Sequence, residues 1–142
     1  MVVRRQVLFV LTLALLIAGG CRRGPVPVGV SGTVTFDGQP LSEGVIVFEP
    51  VAAGQQRDVD IVDGRFSLPT KEGLLPDLEF KVIIKSFRKT GRKYPNADMS
   101  LSHDEVEQII PAAYNSDSTL RVRISPRESE NVLSYELKSQ GL

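Results

Sequence analysis

Residues 57–68 read RDVDIVDGRFSL, and this stretch decides the fold class. Val59 and Ile61 face one way before Asp63-Gly64, and Phe66 and Leu68 face one way after it, with charged or polar residues between them. Alternation with a period of two puts one face of a strand on a core and the other in water. An Asp-Gly pair between two such runs is the strongest short-range hairpin signal, because both turn positions need positive φ.

Working outward, the same period recurs. Val30, Gly32, Val34 and Phe36 alternate with Ser31, Thr33 and Thr35 until Asp37-Gly38. Pro40 cannot donate to a ladder, so QPLSEG connects to a second strand, Val45 to Pro50. From Leu78 to Ser86, Leu78, Phe80, Val82 and Ile84 share a face opposite Glu79, Lys81 and Lys85, as expected of a central strand. Leu120, Val122 and Ile124 alternate with Arg121 and Arg123. After the turn SPRESEN, Leu133, Tyr135 and Leu137 alternate with Ser134, Glu136 and Lys138. Seven short strands over residues 30–138 predict an all-β domain, a single seven-stranded antiparallel β-sandwich, with 139–142 as a tail. Residues 88–113 break the pattern. They read as a long irregular loop with a short helix at HDEVEQII, Ser102 as its cap and Glu105 three residues on.

The chain has 142 residues, enough for one domain, and one cysteine, so no intrachain disulfide holds it. Cys21 is a possible nucleophile, buried packing residue, half of an intermolecular disulfide or attachment point, and its surroundings decide among these. Arg4 and Arg5 precede an apolar run from Val7 to Ala18, 12 residues long. That is too short to span about 30 Å of hydrocarbon as a helix. With Ala18, Gly19 and Gly20 at its exit it has the parts of an export signal over residues 1–20. Pro25 and Pro27 then make residues 21–29 an extended tether. Without Arg4 and Arg5 the chain holds 15 basic against 17 acidic residues, a balance that gives no attraction to nucleic acid.

The stretch LLIAGGCRRG resembles the lipobox of bacterial lipoproteins, with Ala18 standing where the common pattern has Leu. The resemblance implies diacylglycerol on Cys21, cleavage before it, and an exported protein anchored through lipid. Arg22 in place of the Asp that favours inner-membrane retention points to the outer membrane or cell surface. Arg4-Arg5 leaves both the general and the twin-arginine export routes open. GTVTFDGQPLSEGVIVFEP, DGRFSL, FKVIIK and IPAAYNSDSTLRVRI resemble small bacterial surface lipoproteins with a transthyretin-like, carboxypeptidase-regulatory-like β-sandwich. The departure is LPDLEFK, where such proteins often carry Pro-Gly-Glu-Tyr. For most members no biochemical activity follows from membership.

The transthyretin-like fold also hosts hydroxyisourate hydrolase, which relies on several histidines, an arginine and a C-terminal Tyr-Arg-Gly-Ser. This chain has one histidine, His103, and ends KSQGL. No Ser or Cys has a credible His partner, so the expectation is a non-enzyme without cofactor. Asp58, Asp60 and Asp63 lack the EF-hand spacing, and the expectation is no metal site. Lys85, Arg88, Lys89, Arg92 and Lys93 fall within nine residues, flanked by Phe87 and Tyr94. This cluster is the candidate site for an anion or a partner: a lipid head group, an acidic envelope polysaccharide or an acidic protein face. The function expected is a non-catalytic binding or structural module at the cell envelope. Its rival is an accessory or assembly subunit docking a protein through 88–113, and an enzyme of unknown type is a distant third.

Overall fold

The computed structural model describes residues 24–95 and 102–140. The export signal, Cys21 and the first residues of the tether lie outside the described residues. The chain is all-β. Its strands are β1 (Val30–Phe36), β2 (Gln39–Pro40), β3 (Glu43–Pro50), β4 (Arg57–Val62), β5 (Arg65–Leu68), β6 (Glu79–Lys85), β7 (Phe87–Pro95), β8 (Ser102–Gln108), β9 (Arg121–Arg123) and β10 (Val132–Leu137). Each of the seven expected runs is a strand.

The expected turn joins β4 to β5. Asp63 (φ 49°) and Gly64 (φ 73°) both adopt the left-handed conformation of a type I′ hairpin, as do Asp37 (φ 50°) and Gly38 (φ 81°) between β1 and β2. The main sheet runs β10-β1-β5-β4-β3-β6-β9, with β2 added to β1. All its pairs are antiparallel except β1 with β10, which are parallel from Ser31↔Val132 to Phe36↔Leu137. The expectation of a wholly antiparallel arrangement is corrected here. Alternation specifies which face a residue takes but not which way its neighbour runs.

β9 and β10 end the sheet on opposite sides, and six strand spacings would put them about 29 Å apart if it were flat. Instead Ser125, just past β9, and Asn131, just before β10, are held together. The Ser125 N–H donates to Asn131 Oδ1 at 2.9 Å, and Asn131 Nδ2 donates to the Ser125 carbonyl at 2.9 Å. The sheet therefore curls on itself, and its inward faces share one core that includes Val34, Ile46, Phe48, Phe66, Val82 and Ile124. Phe48 and Phe66 pack at 6.1 Å between ring centroids, and Phe66 reaches Tyr135 at 6.5 Å. Burial of each such side chain contributes about 1.5–3 kcal/mol, and it pushes the Tyr135 hydroxyl up to about 12. Gly32 is required in this core because a Cβ there would collide with the Leu133 carbonyl and the Phe66 ring.

Residues 88–113 differ most from expectation. In place of an irregular loop with a helix, β7 and β8 form a separate two-stranded ribbon, and Ser102–Gln108 is a strand. As a strand, SHDEVEQ gains what a lone helix would not have: a backbone ladder with β7 and, for Asp104, Glu105 and Glu107, the cations of that strand.

Candidate interaction ribbon

The candidate cations fall in two places. Lys85 ends β6 in the main sheet, exposed and opposite Val45. Arg88, Lys89, Arg92 and Lys93 belong to β7, and there each has a carboxylate neighbour from β8. Arg88 meets Glu107 at 3.3 Å, Lys89 meets Asp104 at 2.6 Å, Arg92 meets Glu105 at 2.9 Å, and Lys93 lies 4.0 Å from Asp104. The four side chains nevertheless remain between 64% and 78% exposed.

Glu105 is the centre of the ribbon. The register runs Lys89↔Val106 and then Lys93↔Asp104, so Thr90, Gly91 and Arg92 bulge opposite Glu105 alone. Gly91, at φ 81°, makes that bulge possible. The hydroxyls of Thr90 and Tyr94 both donate to the Glu105 carboxylate. Those two hydrogen bonds hold the carboxyl below its ordinary value, and the bond to Glu105 raises Tyr94. The Lys89 ammonium likewise lowers Asp104, chiefly through its hydrogen bond, and Asp104 raises Lys89.

The root of the ribbon is tied to the main sheet. Ser86 is buried, and its Oγ donates to the Glu43 carbonyl at 2.6 Å. Its N–H donates to Gln108 Oε1 at 3.0 Å, and its carbonyl accepts the Ile109 N–H at 3.0 Å. Gln108 Oε1 also accepts the Ile110 N–H at 3.1 Å. Beyond this root, Phe87, Tyr94 and Val106 are large exposed apolar residues. Beside it lies a shallow groove of about 350 Å³ lined by Val45, Asp60, Val62, Lys85 and Phe87.

Chemically the ribbon is a nearly charge-balanced surface with apolar points. Four cations meet three carboxylates, so a phosphate would have to compete with internal partners. The sequence reading found the cations and missed Asp104, Glu105, Glu107, Thr90, Gln108 and Ser86. The available signal was the alternation D-x-V and E-x-E in residues 104–107, of a length to pair with the basic run.

The remaining candidates are not brought together. His103 lies opposite Tyr94 on the exposed ribbon. Asp58 and Asp60 are exposed on β4, with Asp58 accepting from Gln56 Nε2 at 2.7 Å, and Asp63 sits in the turn. Among the described residues no three His, Cys, Asp or Glu side chains converge as metal ligands, and no helix is long and apolar enough to cross a membrane. Comparison with protein-family models, curated proteins and solved structures returns no match.

Proposed function

We propose that the protein is an exported, lipid-anchored module that acts without catalysis, as a binding or structural element at the cell envelope, and that its curled sheet is a transthyretin-like β-sandwich. The observation that carries this reading is the order of the N-terminal parts: Arg4-Arg5, a 12-residue apolar run, Ala-Gly-Gly before the one cysteine, and a proline tether leading into the sheet. Such a run suits export but not spanning, and two or more acyl chains hold a protein stably on a bilayer. Replacing Cys21 with Ser tests it. Labelled palmitate incorporation and membrane fractionation should both be lost, whereas a chain still fractionating with membranes would contradict the reading.

A second reading, an accessory or assembly subunit that docks a protein partner through 88–113, is favoured by the ribbon itself. A near-balanced charge with exposed Phe87, Tyr94 and Val106 suits a protein face better than a polyanion, because polyanion binding draws on net positive charge. An envelope polysaccharide remains the alternative partner. Deleting residues 88–107, which leaves the Gln108 root in place, should abolish crosslinked partner recovery if the ribbon docks it. Unchanged recovery would remove this reading.

A further inference from the structure

The hydrogen-bond register assigns an end of the sheet to every loop. The starts of β1, β4, β6 and β10 and the ends of β3, β5 and β9 share one end. The tether enters there: the Val28 N–H donates to the Leu74 carbonyl at 2.9 Å, and the Leu74 N–H returns a bond to Val28 at 3.0 Å. The opposite end carries the Asp63-Gly64 turn and the end of β6, from which the ribbon leaves. Six steps of about 3.3 Å along β6 separate Glu79 from Lys85, so Phe87 lies roughly 20 Å or more from the tether end.

The tether end has a distinct surface. Val26 (68% exposed) and Val51 (56% exposed) stand out from it. The loop from Val51 to Gln56, VAAGQQ, is exposed throughout and carries no charge. It is held by the Val51 N–H donating to the Glu79 carbonyl at 3.0 Å. Behind it is a mostly apolar cavity of about 290 Å³ whose lining includes Pro27, Leu74, Leu78 and Phe80 together with Gln55 and Arg57. Cys21 is seven residues before Val28, and a fully extended chain reaches at most about 3.6 Å per residue, so Cys21 lies within about 25 Å of this surface.

We infer that the tether end is a membrane-facing surface: the Val51–Gln56 loop rests on the lipid bilayer that holds Cys21, and the ribbon is presented away from it. This rests on the anchored reading above. A few exposed apolar residues bind a bilayer weakly on their own. A tether of this length makes the contact intramolecular, at an effective concentration high enough to populate it. The loop itself is uncharged, which suits a zwitterionic surface, while Arg57 at its foot and Lys71, Glu72, Asp77 and Glu79 of both signs stand at the same end, within reach of head groups.

The chain contains no tryptophan, so a single introduced indole reports one site. The full chain, acylated in cells, is reconstituted into phosphatidylcholine vesicles with and without brominated acyl chains, as Val51→Trp and separately as Phe87→Trp. Both positions are exposed, and circular dichroism checks that each variant folds. The inference expects both variants to float with the vesicles, with Trp emission at 51 falling several-fold in brominated lipid and emission at 87 unchanged. Flotation with equal quenching at both sites, with quenching only at 87, or with none at either would overturn the inference and leave the anchored reading standing. Failure to float would overturn the anchored reading and the inference with it.

Discussion

A few polar side chains do disproportionate structural work. Asn131 is 3% exposed, clamps Ser125 from both sides, and donates to the Gly29 carbonyl at 3.4 Å. It joins the two extremes of the sheet to the start of β1. Asn131→Leu leaves buried backbone groups unpaired and should lower stability by about 1–3 kcal/mol in urea unfolding. Ser118, also buried, donates to the Val82 carbonyl at 2.5 Å, and Ser118→Ala should cost about 1 kcal/mol in the same assay. Gly32→Ala forces a methyl group against the Leu133 carbonyl and the Phe66 ring, for which overpacking of about 1–3 kcal/mol is expected. None of these roles is written in a local pattern. Asn131 closes SPRESEN, so its bonds to Ser125 fall within that turn, but its reach to Gly29, 102 positions away, shows in no local pattern.

At the scale of elements, the seven main strands and the two Asp-Gly turns were legible because alternation and turn chemistry act over a few residues. The parallel pairing of β10 with β1 was not, since it depends on a crossover that closes the sheet. The β7–β8 ribbon was not either. Its strands bury almost nothing, so the hydrophobic period that marks a strand is missing, and pairing rests on charge and hydroxyl groups. An isolated two-stranded hairpin is marginal in water, which makes the ribbon the most readily opened element. Asp104 and Glu105 are held below their ordinary 3.8 and 4.5 in the folded ribbon. Their contribution is therefore complete above those values and is lost as pH falls through the lower folded values. Amide exchange in 87–95 and 102–108, corrected for its intrinsic pH dependence, should accelerate below about pH 4 while protection in β3 and β6 persists. Glu105→Gln should produce the same selective loosening at neutral pH, with unfolding of the main sheet unchanged. A parallel loss of protection in both regions would show that ribbon and sheet open together.

The described residues are organised along one axis: a tether joins one end of a curled sheet, and a ribbon with one more cation than carboxylates leaves the other. The candidate cations were visible in the sequence, but their β8 partners were not: three carboxylates lie beside four of the cations, so any anionic ligand would have to compete with them. The proposed location rests on Cys21, which lies outside the described residues and is read from its neighbours alone. Mass spectrometry of the mature N-terminus from membrane fractions tests that claim most directly. The account predicts a first residue of Cys21 carrying a thioether-linked diacylglycerol. A mature peptide beginning at unmodified Cys21, or upstream of it, would contradict it.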